Sequence, residues 1–278
     1  TPAAKPADAP VNVSYSSKGL KFETTDGKFS STMQHRLQFR YAYPFDADPR
    51  SLNDMEAEGH SFMVRRARFK LSGHAYKSWL KHNFQYDWSQ PILRDFYITV
   101  DRFSWLQLRV GRGKVIYNDE RVSSSGAQQF VNRSILNDVF TIDRQQGGQL
   151  MGRLFDNSPA DINYVVGVFA GRGVGERLND DTNLMYAARL QWNTIGDPID
   201  FTQSDYKFTQ RLQLNIAVGA ATNKSNCTAF ETDSTSCRRL PGSSYPQLAA
   251  GAAPGSQAGL FKVDQAVFEV RSVYKGLY

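Results

Sequence analysis

The stretch "KFSSTMQHRLQFRYAY", residues 28–43, decides the fold because it alternates almost without error. Phe29, Met33, Leu37, Phe39 and Tyr41 share one parity; Ser30, Thr32, Gln34, Arg36, Gln38 and Arg40 share the other. Period two is the signature of an extended strand with two unlike faces. At roughly 3.4 Å per residue the run covers about 50 Å, whereas a typical strand has about five or six residues. A strand so long, apolar on one face and bearing guanidinium groups on the other, asks for a different solvent on each side.

The pattern recurs. "SFMVRRARFKLSGHAY" sets Ala67, Phe69 and Leu71 against Arg66, Arg68 and Lys70. "WLKHNFQYDW" sets Leu80, Phe84 and Tyr86 against Lys81, Gln85 and Asp87, and "WLQLRVG" sets Leu106, Leu108 and Val110 against Gln107 and Arg109. Later, "MYAARLQWN" opposes Leu190 and Trp192 to Arg189 and Gln191, and "TQRLQLNIAVGAA" opposes Leu214, Ile216 and Val218 to Arg211, Gln213 and Asn215. With "DFYITV", "QAVFEVRSVYKG" and Gly-rich segments near 150 and 165, the pattern predicts about ten strands. Short links at 77–78 and 101–104 alternate with long ones at 44–59, 115–141, 171–182 and 223–261; 89–93 and 194–207 break the rule. Short turns at one end, long loops at the other and aromatics at strand ends (Tyr41, Tyr43, Trp79, Trp88, Trp105, Trp192) are habits of membrane β-barrels.

Composition permits this. The mean hydropathy of −0.48 looks soluble, but in a barrel the water-facing residues cancel the lipid-facing ones. A lipid-facing Arg or Lys costs ~2–4 kcal/mol at the bilayer midplane. Turning Arg36, Arg40, Arg66, Arg68, Lys81, Arg109, Arg189 and Arg211 outward would sum to tens of kcal/mol. The apolar parity therefore faces lipid and the basic parity a watery interior. Arg65 sits on the wrong parity, which a bulge, an interfacial depth or a subunit contact would explain. The net charge of +6 favours anionic partners. Residues 1–17, Pro- and Ala-rich at the start, read as a flexible periplasmic lead-in, and 18–278 as the barrel. Cys227 and Cys237 fit a loop-closing disulfide in an oxidising compartment, or two free thiols.

At "FMVRRARFKLSG" the chain resembles the phosphate-selective porin O and P family, in which an arginine strand of this type is a hallmark. "GLKFETTDGKFSSTMQHRLQFRYAY" is similar to that family's opening strand, and "LRDFYITV" with "LQLRVGRGKV" to its fourth and fifth. "QQFVNRSILNDVFTIDRQQGGQL" is similar to a further family stretch, with Asn132 in place of an acidic residue and Gln145 in place of an Asp. The resemblance implies a sixteen-stranded homotrimeric barrel in the outer membrane of a Gram-negative bacterium, amid lipid and lipopolysaccharide, whose further strands lie beyond this sequence. It implies passive diffusion of small anions such as phosphate. It also implies a third loop folded inward near 115–141, with Lys114, Arg121, Arg133 and Arg144 at the throat.

From the residues, the expected anion pathway comprises Arg36, Arg40, Arg66, Arg68, Lys70, Lys81, Arg109, Arg189 and Arg211. Rings of such side chains form multiple weak anion sites, and planar guanidinium forks match oxyanions. The competing reading is a wall neutralised by Asp87, Asp95 and Glu269. A general non-selective porin and a sleeve around a partner protein are the alternative functions. "VRRARFK" alternates too strictly for a nucleic-acid patch, and "GRGVGE" lacks the ending of a phosphate loop. His35, His60, His74 and His82 lack metal-ligand spacing, and nothing singles out a nucleophile. Neither an enzyme, a cofactor nor a metal is expected.

Overall fold

The computed structural model describes residues 10–44, 59–129, 133–134, 137, 141–171, 182–225 and 261–277. Cys227 and Cys237, and with them the disulfide expectation, lie outside the described residues. Among the described residues the fold is β, antiparallel, with twelve strands and one short helix, and the chain divides into two compact units, Thr1–Val100 and Asp101–Tyr278. The first contains β1 (Val11–Ser16), β2 (Gly19–Thr24), β3 (Phe29–Ala42), β4 (Ser61–Ala75) and β5 (Lys77–Asp87), and β6 (Ile92–Phe103) begins in it. Each pairs with its neighbour in the chain. The second contains β7 (Leu106–Lys114), β8 (Arg144–Leu154), β9 (Ile162–Phe169), β10 (Met185–Ile195), β11 (Gln213–Ser225) and β12 (Phe261–Val273), again paired in chain order. A single turn of helix, α1 (Asp119–Val122), sits in the β7–β8 connection. Among the described residues no helix is long and apolar enough to cross a membrane, which says nothing of strands.

Two strands exceed the expected ten, and both come from the N-terminal stretch. Val11–Ser16 was expected in the flexible lead-in, but Val11, Val13 and Tyr15 alternate with Asn12, Ser14 and Ser16 and form β1 against β2. β-branched and aromatic residues in alternation favour a pleated partner over an unpaired coil. The expected opening strand divides at residues 25–28, where Gly27 takes φ +67° and the Thr24 side chain bonds Asp26 and the Phe29 amide.

Strand parity runs as the sequence predicts. Along β10, Met185, Ala187, Arg189, Gln191 and Asn193 are buried, while Tyr186, Leu190 and Trp192 are about half exposed (52%, 48% and 47%). From Arg189 to Asn193 the polar groups are covered and the apolar groups bare, the reverse of a water-soluble sheet, while Met185 and Ala187 share the covered parity. Leu37, Phe39, Val110, Phe268 and Val270 are likewise exposed on the apolar parity.

The misplaced Arg65 is explained by register. Gln38 pairs with Arg66 and Phe39 with Val64, so Arg65 is the extra residue of a β-bulge. The insertion flips parity within β4. Phe62 and Val64 lie outward before it, and Ala67, Phe69 and Leu71 share that face after it. A second bulge falls at Arg94, between Asp95 opposite Gln85 and Leu93 opposite Tyr86. The 196–212 connection returns through Asp205, whose carboxylate accepts from the Thr209 amide (2.7 Å), the Thr209 hydroxyl (2.8 Å) and the Gly276 amide (3.0 Å). Desolvation pushes this carboxyl up, but the hydrogen bonds from Gly276 and Thr209 outweigh it and hold it below the ordinary carboxylate range.

Two outcomes follow. Deleting Arg65 removes the parity switch and turns one apolar half of β4 inward; most of the heat-modifiable folded form should vanish on unheated gels, whereas Arg65→Ala retains it. Because the Asp205 pKa is depressed on folding, the clamp it makes is fully present above the ordinary aspartate value and is lost as acid protonates it. Protection of the Thr209 and Gly276 amides, measured by hydrogen exchange relative to intrinsic rates, should hold from pH 7 to 5 and fall only below about 4.

Candidate anion pathway and its inward loop

In the first unit the polar face of β3, β4 and β5 gathers cations on neighbouring rungs. Arg36 stands opposite Arg68, Gln38 opposite Arg66 and Gln34 opposite Lys70; across the other edge of β4, Arg68 meets Asp87 and Lys70 meets Gln85. Like charges directly opposite destabilise a sheet, so the Arg36–Arg68 rung needs compensation. Some comes from Asp87, 1% exposed, which accepts from Arg68 Nε (2.6 Å) and the Ser89 hydroxyl (2.7 Å) and lies 3.6 Å from Arg94 Nε. Arg66 donates to Gln38 Oε1 at 2.6 Å. On this face Asp87 answers Arg68 and Arg94, and Arg36, Arg40, Arg66 and Lys70 continue the row, Lys70 with the buried Asp95 nearby. Arg40 opposes Met63 above the bulge, and the exposed Lys81 opposes Thr99 near the far end of β5. Arg94 was not foreseen, because its polar role depends on a bulge that alternation alone does not reveal.

The second unit is organised differently. Arg109 pairs in register with Gln149. Arg211, expected on a strand, precedes β11 and is exposed in the connection, because pairing to β12 begins only at Gln213. Arg189 is buried, paired with Glu269, and donates Nη1 to the Tyr117 carbonyl at 3.0 Å. That bond brings the β7–β8 connection onto the polar face. Within the connection, α1 is latched by Arg271 Nε to Asp119 Oδ2 (2.6 Å) and by the Asp119 amide to Glu269 Oε1 (2.8 Å). Removing any one of these four charged groups would take an ion-pair partner from a buried or half-buried side chain, which is the costly case.

A seat of small residues lets the loop approach. Ala187, Ala217, Gly219 and Ala221 share the inward parity of β10 and β11. A Cβ at Gly219 would stand 2.9 Å from the Tyr117 carbonyl oxygen, so the position tolerates no side chain while the loop is docked. Val115, Tyr117 and Ile142 pack there against Phe169, Met185, Ala187 and Ala221, forming an apolar core where the pattern predicted water. Burial pushes the Tyr117 phenol up to about 12, and nearby Glu269 adds to the effect.

The four loop cations brace this structure. Lys114 Nζ donates to the carbonyls of Val122 and Ser123, both at 2.9 Å. Arg121 is buried on Asp143, which Arg144 also approaches at 3.4 Å. Arg133 donates to the Glu120 and Ser123 carbonyls (3.1 and 2.9 Å). Among the described residues no group of His, Cys, Asp and Glu is placed to hold a metal.

The family model for phosphate-selective porin O and P matches residues 34–217, most of the chain, including the bulged arginine strand, the inward loop and β10. The chain belongs to this family. No curated protein matches it. Membership makes it a porin and points to a channel rather than an enzyme. In a porin of this build the loop seat at Gly219 is open to direct test. Gly219→Leu should expel Tyr117 and raise single-channel conductance in planar bilayers, with the β-sheet circular dichroism unchanged; wild-type conductance in the folded variant would put the loop elsewhere.

Proposed function

We propose that this porin is a passive diffusion channel of a Gram-negative outer membrane, biased toward small anions such as phosphate and assembled as a homotrimer. The bare apolar parity is the surface that lipid, lipopolysaccharide and neighbouring subunits would cover. The observation that carries the anion bias is the run of Arg36, Arg66, Arg68 and Lys70 on adjacent rungs of one polar face. In a wet passage an anion 4 Å from a guanidinium gains on the order of 1–4 kcal/mol, enough to enter and too little to be trapped. Several such sites in series let an ion pass from one to the next. Planar forked donors suit a tetrahedral oxyanion better than a point charge does, which supports phosphate as a solute.

A second reading, a general porin, draws on Asp87 and Glu269, which offset part of the positive charge. The two differ in ion selectivity. Replacing Arg36, Arg40 and Lys70 together by Gln leaves the Arg68–Asp87 pair intact and removes three charges. The anion-over-cation permeability ratio, from reversal potentials under a KCl gradient, should fall several-fold. The fall should be larger at 0.01 M than at 1 M salt, where the screening length shrinks from about 30 to about 3 Å. Wild-type selectivity in the variant at low salt would leave the general porin.

A further inference from the structure

The 196–212 connection joins β10 to β11 at the same end as the short 155–161 turn, yet it is long, and its middle leaves that end. Asn193, Asn215 and Arg271 lie on one register row across β10, β11 and β12. All three belong to the buried polar parity. Arg271 donates to the carbonyls of Ile199 (3.4 Å) and Asp200. Asn215, with its amide oriented to satisfy both groups, accepts from the Ile199 amide (2.8 Å) and from Gln191 Nε2 (2.9 Å). Ile199 is accordingly 6% exposed. The Phe201 ring then lies 5.7 Å from the Arg271 guanidinium and 5.8 Å from that of Arg189. Arg189 is four residues further in than Asn193, about 13 Å along the strand, so the ring sits between two rows of the polar face and not at its rim.

Beyond Phe201 the segment meets the inward loop. The Gln203 amide donates to the Ala127 carbonyl at 3.0 Å, and the Gln129 amide donates to Gln203 Oε1 at 3.1 Å. The segment is thus held by β12, β11 and the loop at once, and Asp205 closes its return.

We infer that the segment 197–205 is a second constriction element, entering from the opposite end to the inward loop and meeting it at Gln203, with Phe201 covering the guanidinium groups of Arg189 and Arg271. It rests on the channel reading only for the direction of the conductance change. An aromatic face over two guanidinium groups satisfies their cationic planes without supplying a further carboxylate. It thereby converts part of a charged wall into an apolar floor. A solute passing this wall meets backbone amides and a phenyl ring where the strand pattern alone would place two arginines.

The test uses the full chain with Cys227→Ser and Cys237→Ser, carrying Ala127→Cys and Gln203→Cys. Under mild oxidation the pair should cross-link nearly completely in the folded, heat-modifiable protein, as read by intact and peptide mass. This needs no current and so stands apart from the channel reading. Folded protein in which both thiols stay free would overturn the inference. In the wild-type background, Phe201→Ala should raise single-channel conductance and restore anion contact with the two arginines, seen as a higher anion-over-cation ratio at low salt. Unchanged conductance and ratio in the folded Phe201→Ala porin would overturn the role given to the ring. A wild-type chain that passes no current would overturn the channel reading while leaving the cross-link to decide the apposition.

Discussion

Hydrocarbon does not accept a guanidinium, and the arginine-bearing strands of this porin are arranged around that refusal. A single Arg or Lys facing the middle of a bilayer costs ~2–4 kcal/mol, and a net stability of about 5–15 kcal/mol cannot absorb many such errors. Arg36, Arg68, Arg109 and Arg189 each fix the facing of their strand, and the apolar parity follows. The buried-polar, bare-apolar alternation of β10 is the result. With the charges inward, the problem becomes one of keeping them solvated or paired. The two units solve it differently: the first sets Asp87 among its arginines, and the second covers its wall with folded-in chain.

This constraint is why much was legible in the sequence. Strand facing, the neighbourly placement of Arg36, Arg66, Arg68 and Lys70, and the existence of a long connection after β7 all follow from period two and from loop length. What alternation does not encode is where the period slips. Arg65 announced itself by standing on the wrong parity, and the bulge resolves it. Arg94 gave no such signal, because it merely preceded a well-behaved "DFYITV". Arg211 misled for the opposite reason: it keeps step with Gln213 and Asn215 but lies before pairing begins.

The interior of the second unit was the least legible part. Alternation sends Arg189 to water, and the family resemblance puts Arg121 and Arg144 at a throat; the structure buries all three, with Arg271, in contacts with a loop and with a turn. A signal existed in the run of small residues on an inward parity, Ala187, Ala217, Gly219 and Ala221. Small side chains on a face otherwise lined with Arg, Gln and Asn mark a place where backbone approaches backbone. The 196–212 connection gave less, since its length was visible as an exception but nothing local in "GDPIDFTQSDYKFTQ" states that Ile199 and Phe201 turn inward.

The bracing of the β7–β8 connection changes how its cost should be counted. Closing one flexible loop from 115 to 143 would carry an entropy that grows with the logarithm of its length. Lys114 bound to the carbonyls of Val122 and Ser123, and Arg121 bound to Asp143, cut that loop into two smaller rings, one nested beside the other. Once the first ring is shut, the second closes from a shorter span. The cations of this loop thus serve as knots in a cord: they limit how much slack the chain between β7 and β8 retains.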